Sequence, residues 1–242
     1  MIEIKARTHS LRLYADRTRL TDWIWPVLYC GFRGDLTVVP RMFKVIRSNS
    51  CATDLSQGID AIFSQMNSTT RNEIRRAERE GCSFAVVDDV DRFVAFYNSF
   101  CRDKGLADFT SRSRIEKFRH VVITEVRHGK KVLAMHANVL DQCGHMAFLL
   151  YSCSPRLEEQ VDKKLIGWGN RYLHFQDLKW LKEHGYTYYD WSGVVMDPAD
   201  ERYSIGQFKL SFGGVLIDSV TIKTPVFRLL ECVRDKIVSL RR

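Results

Sequence analysis

A lysine and two closely spaced glycines open a segment of the chain that has helical periodicity. Glycine lets a backbone come close to a ligand, and the free N–H groups of a first helical turn attract phosphate. The pattern therefore predicts a phosphate-binding turn built from Lys164, Gly167, Trp168, Gly169 and Asn170. The alternative is that the two glycines only permit tight packing.

Two apolar runs flank this turn, one at residues 146–151 and one at 186–191. Between them, apolar residues recur at helical spacing as far as Gly185, where a glycine typically ends a helix. The order strand, glycine turn, helix, strand is typical of a unit that holds phosphate.

Two side chains outside the turn are candidates for acid–base chemistry. Asp190 stands at the end of the strand that follows the helix, where a carboxylate could orient or deprotonate an amine. The alternative for Asp190 is a carboxylate that caps a loop. His136, within a strand predicted at 131–140, is a candidate general base, with a structural histidine as the alternative.

A helix predicted to begin with Thr70 as N-cap and to end at Gly81 carries an unusual density of charge. Arg71, Arg75 and Arg79 fall four residues apart and share one face. Glutamates are interleaved with them, so one interpretation is a solvated helix with internal ion pairs. The other is a basic wall that receives an anionic substrate.

Composition restricts the classes of protein and partner. The 242 residues are 45% hydrophobic and carry a formal charge of +8, which indicates a folded chain with anionic partners. The seven cysteines form no C-x-x-C pair, so neither a zinc site nor a disulfide framework is predicted. Neither a signal-peptide core nor an apolar run of membrane-spanning length is present, so we expect a cytoplasmic protein.

The periodicities predict an α/β (α+β) chain in which a mixed, mostly antiparallel sheet is flanked by helices. We expect a single domain over residues 1–242, with an N-terminal extension at 1–38 and a core at 40–223. Residues 225–242 are predicted as an amphipathic helix whose apolar side includes Phe227, Leu230, Val233, Ile237 and Leu240. This helix is expected to pack on its own domain, and contact with the inner membrane face is the alternative.

Three stretches together resemble the Fem-type aminoacyltransferases and their relatives. Residues 68–81 are similar to the family's Arg-Asn-x-Ile-x-x-Ala-x-x-x-Gly helix, and 185–193 to its Gly-Tyr-x-x-Tyr-Asp-x-x-Gly strand. Residues 208–214 are similar to its closing Phe-Lys-x-x-Phe-Gly-Gly element. These proteins carry the GNAT acyltransferase fold, in which an Arg/Gln-x-x-Gly-x-Gly/Ala loop holds the pyrophosphate of acyl-CoA. Residues 164–169 match that loop in spacing, with lysine in the first position.

The resemblance implies an N-acyltransferase without a covalent nucleophile, which moves an acyl group, expected to be acetyl, from acyl-CoA to an amine. An amino sugar in polysaccharide or cell-envelope biosynthesis, linked to a nucleotide or a lipid, is the expected acceptor. Lys209 would stabilise the oxyanion, and Trp168 would lie against pantetheine or adenine or else in the core. Contacts to the acceptor are expected from Arg71, Asn72, Arg75 and Tyr189.

Two alternatives to the acyl-CoA enzyme stay open. One is a FemX-like aminoacyltransferase that uses charged tRNA, and the other is a non-catalytic GNAT-like module that binds RNA or a protein partner. The basic charge fits both. The chain is long enough for little more than one of the two GNAT-like halves usual in peptidoglycan Fem enzymes, which favours acyl-CoA as the donor.

Overall fold

The computed structural model describes residues 1–155 and 162–239 of the chain. They form two compact units, and no helix among them combines the length and apolarity needed to cross a membrane. The first unit joins Met1–Ser50 to Ile217–Arg242, and the second unit is Cys51–Leu216.

The division of the chain differs from the sequence prediction. The predicted N-terminal extension and the predicted terminal helix both belong to the first unit, together with part of the predicted core. The helix is present over Pro225–Ser239. Its last three predicted residues, Leu240, Arg241 and Arg242, lie outside the described residues.

The described strands, in chain order, are β1 (Ile2–Lys5), β2 (Ser10–Leu13), β3 (Val27–Cys30), β4 (Lys44–Asp54), β5 (Cys82–Val87), β6 (Val121–His128), β7 (Lys131–Asp141), β8 (Met146–Cys153), β9 (Tyr188–Val194) and β10 (Val215–Lys223). The described α-helices are α1 (Ile59–Gln65), α2 (Ser68–Arg79), α3 (Val90–Asp103), α4 (Arg112–Glu116), α5 (Lys163–Glu183), α6 (Tyr203–Leu210) and α7 (Pro225–Ser239).

In the second unit, which contains β4 only from Cys51 onward, neighbouring strands follow the order β4, β9, β8, β7, β6, β5. Strands β5 to β8 pair antiparallel in sequence, because short turns connect β6 to β7 and β7 to β8. Strands β8 and β9 are parallel, with Met146 opposite Tyr188, and α5 is the crossover between them. The mixed, mostly antiparallel α/β architecture predicted from the sequence is therefore confirmed.

Helix α5 packs closely on β7, and one glycine makes this approach possible. A Cβ at Gly169 would lie 2.8 Å from Cδ1 and 3.2 Å from Cβ of Leu133, which is fully buried in β7. Ile166 and Leu173 on the same helix share this core cluster with Leu133. The approach brings α5 within hydrogen-bond distance of polar side chains on β6 and β7.

The first unit contains the predicted N-terminal extension. Strands β1 and β2 pair antiparallel, β2 and β3 pair parallel, and β3 pairs antiparallel with β10. Between them the guanidinium of Arg12 is buried against the carboxylate of Asp22 and the hydroxyl of Tyr29. Burial, with a hydrogen bond to Asp22, raises the pKa of Tyr29 to about 12. This unit is thus a folded part of the protein and not an extended arm.

One local prediction is corrected. Helix α2 is capped by Asn67, whose side chain accepts from the backbone N–H of Thr70. Thr70 is therefore inside the helix, and its predicted role as N-cap is wrong.

The glycine pair at the end of the Phe-Lys-x-x-Phe-Gly-Gly element is required by backbone geometry. Gly213 has φ +78°, and a Cβ there would lie 2.7 Å from the backbone carbonyl of Gln65. A Cβ at Gly214 would lie 2.5 Å from the sulfur of Cys51. Neither neighbour is the free end of a long side chain, so only glycine fits.

We predict that Gly213→Ala lowers the free energy of unfolding by about 2–4 kcal/mol, because it adds left-handed strain to a clash with backbone. Gly193→Ala is the matched control, since a Cβ at Gly193 meets nothing within 4 Å. Urea denaturation of both variants measures the difference. Equal stability of the two would contradict the structural explanation of the motif.

Candidate functional site

A cleft of about 600 Å³ opens in the second unit, where several elements end. Its size suits a small molecule or the end of a larger ligand. Helix α5 contributes Asn170 and Arg171, and the other lining residues are Asn67, Phe100, Lys104, Ser152, Cys153, Ser154, Ser204, Ile205, Gln207, Phe208 and Ser211.

Two basic side chains give the cleft wall its charge. The guanidinium of Arg171 lies 2.8 Å from the carboxylate of Glu73 and stacks over the ring of Phe208. The ammonium of Lys104 lies 5.2 Å from the ring centre of Phe100, and no carboxylate of the described residues pairs with it. An anionic group in the cleft would therefore meet one compensated and one uncompensated cation.

A buried chain of polar side chains leads from the sheet to the cleft. Thr124 of β6 donates to one carboxylate oxygen of Asp177 at 2.6 Å, and the other oxygen lies 2.6 Å from Nδ1 of His136. Nε2 of His136 lies 3.2 Å from Oδ1 of Asn170. His136, on β7, is fully buried, whereas Asn170 reaches the cleft.

This arrangement ties the orientation of the Asn170 carboxamide to the protonation of His136. Asp177 holds the His136 ring through Nδ1, as carboxylates do for functional histidines in many proteins. Because Nδ1–H faces Asp177, Nε2 can donate to the Asn170 oxygen only when the His136 ring carries both protons, and the NH2 group of the carboxamide is then its remaining hydrogen-bond donor. A neutral ring would instead accept from the NH2 group. His136 does not line the cleft, so the predicted general base lies behind Asn170 and contacts the cleft only through it.

A second histidine, His174, lies next to His136, with the two ring centres 4.0 Å apart. It also contacts the rings of Trp191, Phe208 and Phe212, and its Nδ1 has no hydrogen-bond partner among the described residues. Burial, and then the charge of His136, lowers the pKa of His174 well below 6.5. His174 is therefore a neutral part of an aromatic core.

His136, His174 and Asp177 together offer the donor types of a transition-metal site, with ligand atoms within 4.8 Å of one another. However, both nitrogens of His136 and both oxygens of Asp177 already take part in hydrogen bonds to protein groups. The ligand atoms of His136 and Asp177 are thus satisfied by hydrogen bonds, whereas Nδ1 of His174 is buried without a partner among the described residues.

Asp190 and Lys209, predicted separately as catalytic residues, both bond to the backbone around Ser192. Asp190 accepts from the backbone N–H of Ser192 at 2.7 Å, in a turn where Ser192 has φ +65°. The ammonium of Lys209 donates to the carbonyls of Gly193 and Ser192 at 2.9 and 3.4 Å. Burial lowers the pKa of Lys209, and the charge of Asp190 opposes this shift. Neither side chain lines the cleft, although Phe208, next to Lys209, does.

Tyr189 belongs to the core and does not reach a ligand, so its predicted substrate contact is wrong for this structure. Its hydroxyl is buried and donates to Oδ1 of Asn138 at 2.8 Å. Burial raises the pKa of Tyr189 well above 10, and the nearby charges of Asp177 and Asp190 act in the same direction.

The arginines of α2 are not assembled into a wall of the cleft. Arg71 donates to the carbonyls of Ser64 and Met66 at the end of α1, and Arg75 lies over the ring of Phe63. Asn72 is exposed, and none of the three lines the cleft. The residue of α2 that does contact the cleft wall is Glu73, through Arg171.

The predicted phosphate-binding turn is helical, which corrects the sequence interpretation. Helix α5 begins at Lys163, and Asp162 accepts from the backbone N–H groups of Lys164 and Leu165. The N–H groups from Gly167 onward bond within the helix and are not free for phosphate. The packing alternative therefore holds for Gly169, and among the five predicted residues the described cleft includes Asn170 alone.

Trp168 and Lys164 have other surroundings. Trp168 is half-buried beneath the guanidinium of Arg76, which lies 5.3 Å from its ring centre. Lys164 is exposed on the first turn of α5.

Sequence reasoning missed Arg171, Thr124, His174 and Asp177. A signal for part of the set was present, because Asn170, His174 and Asp177 stand at i, i+4 and i+7 and so share one helix face. Three polar residues in register with an apolar stripe indicate a buried polar network. Their partners on β6 and β7 could be identified only from the pairing of the strands.

No protein-family model matches the chain. A curated lipid II:glycine glycyltransferase of Staphylococcus epidermidis is 28% identical to it over 79 residues. That match covers 30% of this chain and 19% of the glycyltransferase, so the chain spans about a fifth of its relative's length.

Two solved structures share the fold. FemX superposes with a TM-score of 0.61 at 14% identity, covering 76% of this chain and 63% of FemX. The C-terminal domain of a protein described as a lysylphosphatidylglycerol synthetase, from Agrobacterium fabrum, superposes with a TM-score of 0.62 at 11% identity, covering 96% and 84%. The likeness at these identities establishes the fold.

We predict that stability falls as the pH is lowered from about 7 to 5, and that His174 contributes to the fall. The unfolded state takes up a proton at this residue below about pH 6.5, whereas the folded state does not, so acid favours unfolding. His174 can contribute a slope of at most about 1.4 kcal/mol per pH unit.

Thermal unfolding of the wild type and of His174→Phe across this range isolates the contribution, because phenylalanine retains the aromatic contacts without the titrating ring. The variant should lose less stability in acid. An identical pH dependence of the two proteins would contradict the assignment of His174 as a buried neutral group.

Proposed function

We propose that the protein is an aminoacyltransferase that moves an aminoacyl group from aminoacyl-tRNA to an amine on a lipid-linked cell-envelope precursor. The observation that carries the proposal is the cleft in which the Asn170 carboxamide, oriented by His136 and Asp177, stands beside the cationic side chains Lys104 and Arg171. A polarised acyl group and a nearby phosphate would both find partners there.

The comparisons support the class of acceptor. The name of the glycyltransferase describes the transfer of an amino acid to a lipid-linked precursor. The name of the synthetase describes a product in which an amino acid is attached to a phospholipid. Both products combine an aminoacyl group with a lipid-anchored acceptor. The Fem-type motifs and the FemX fold favour the same chemistry for this chain.

In the proposed reaction the neutral acceptor amine attacks the ester carbonyl of the donor. A C–N bond forms, the C–O bond to the tRNA ribose breaks, and the amine proton passes to the leaving oxygen. With both ring nitrogens of His136 protonated, the NH2 group of Asn170 donates to the developing oxyanion, and Arg171 and Lys104 hold the phosphate of donor or acceptor. Asp190 and Lys209 stay proposed participants. To reach a ligand, the ammonium of Lys209 would have to leave the carbonyls of β9 to which it is bonded.

An acyl-CoA donor is the second choice. It was expected because residues 164–170 were interpreted as a turn that binds pyrophosphate. In the structure, however, the N–H groups from Gly167 onward form hydrogen bonds within α5 and are not free for phosphate. The carboxylate of Asp162 at the helix start would in addition repel a pyrophosphate. An ester donor needs no such turn.

A radiolabel transfer assay tests the proposal. Purified protein is mixed with lipid II and, in separate arms, with glycyl-tRNA, lysyl-tRNA or acetyl-CoA carrying a labelled acyl group. We expect labelled lipid II from an aminoacyl-tRNA arm, and about a 100-fold loss of rate in Asn170→Ala if the oxyanion loses its donor. Lys179→Ala, an exposed change on the same helix, is the control and should keep the wild-type rate.

Two outcomes contradict the proposal. Transfer from acetyl-CoA alone would restore the acyl-CoA interpretation. A folded protein that labels nothing in any arm, but binds tRNA with a steep salt dependence, would favour the non-catalytic RNA-binding alternative.

A further inference from the structure

The net charge of the protein is confined to its first unit. This unit contains fifteen Lys and Arg residues against seven Asp and Glu, a charge of +8. The second unit contains 22 of each, a charge of zero. An anionic macromolecular surface would therefore be attracted chiefly by the first unit.

Helix α7, in this unit, has an apolar stripe that is left exposed. Val226, Leu229, Leu230, Val233 and Ile237 recur at spacings of three and four residues and so share one side of the helix. Leu229 is 63% exposed, and Val233 and Ile237 are 48% and 45% exposed. A stripe that packed on its own unit would be far less accessible.

Charged residues are distributed around this stripe in a particular way. At about 100° per residue, Lys236 and Arg234 fall on the two borders of the stripe. The acidic residues Glu231 and Asp235 fall on the other side of the helix, and Glu231 is paired with Lys223 at 2.6 Å. Basic residues that flank an apolar stripe can extend to phosphate groups while the stripe enters an apolar phase.

A second exposed apolar segment adjoins the start of α7. Trp23, Ile24 and Trp25 are each more than half exposed. The hydroxyl of Thr224, the residue before α7, donates to the carbonyl of Trp25 at 2.8 Å. Tryptophan is enriched at membrane–water interfaces because its ring is apolar and its N–H is polar.

We propose that the first unit docks on an anionic phospholipid bilayer, with the apolar stripe of α7 lying at the boundary between the lipid headgroups and the acyl chains. Nucleic acid would meet the charge but would leave the aliphatic stripe of α7 unused. A second copy of the chain would bring two units of +8 together. The inference goes beyond the proposed function and does not depend on it, since it concerns residues outside the second unit.

Vesicle co-sedimentation tests the proposal without any activity assay. The protein is mixed with vesicles of phosphatidylcholine alone or with about one third phosphatidylglycerol, and we expect binding to the second kind. Leu229→Glu/Val233→Glu should weaken binding by about tenfold or more, because it removes apolar area from the stripe and adds negative charge.

The matched control is Cys232→Glu/Ser239→Glu, which makes the same charge change at exposed positions away from the stripe. It should weaken binding clearly less. Circular dichroism and thermal unfolding verify that both double variants are folded.

Three results would overturn the proposal. No binding of the folded wild type to anionic vesicles excludes bilayer docking. Equal weakening by the two double variants means that charge alone acts. A wild-type dimer in light scattering that only the stripe variant dissociates, without vesicle binding, assigns the stripe to a second copy of the chain.

Discussion

The contact between helix α5 and strand β7 is the constraint on which the rest of the second unit depends. Because Gly169 has no side chain, the helix comes close enough for Asp177 and His136 to form a hydrogen bond inside the sheet–helix layer. Burying these groups is favourable only if each has a partner, and Thr124 and Asn170 complete the set. A shift of α5 would leave several buried polar atoms without partners.

The same contact links core to surface. Asn170 and Arg171 are adjacent residues of α5, and both line the cleft because the close packing at Gly169 positions the helix against the sheet. Arg171 in turn joins α2 through Glu73 and α6 through Phe208. The cleft is therefore formed mainly by the ends of several elements, two of which contact α5 through Arg171.

The architecture could be predicted from the sequence because the apolar periods and glycine stops of β5–β10 are clear. The site could be predicted only in part. Asn170 was selected as a backbone donor, and the structure uses its side chain instead. The two glycines suggested phosphate, yet Gly169 serves packing, since a local pattern cannot distinguish a ligand from a neighbouring strand.

Other site residues depend on tertiary structure. Thr124 and Asp177 are 53 positions apart, and nothing local predicts their contact. In the first unit, the contact between Arg12 and Asp22 could not be predicted for the same reason. In the sequence the two residues look like ordinary surface residues, and only the paired strands show that they are buried together.

The central claim is that the Asn170 carboxamide, held by the buried His136–Asp177 pair, contacts the aminoacyl end of a donor. The most direct measurement is an NMR titration with puromycin, a stable aminoacyl-nucleoside analogue, that follows the side-chain NH2 signal of Asn170. The account predicts a saturable shift of this signal together with the backbone signals of Gln207 and Phe208. Saturable shifts confined to residues away from the cleft, or no shift at millimolar ligand, would contradict it.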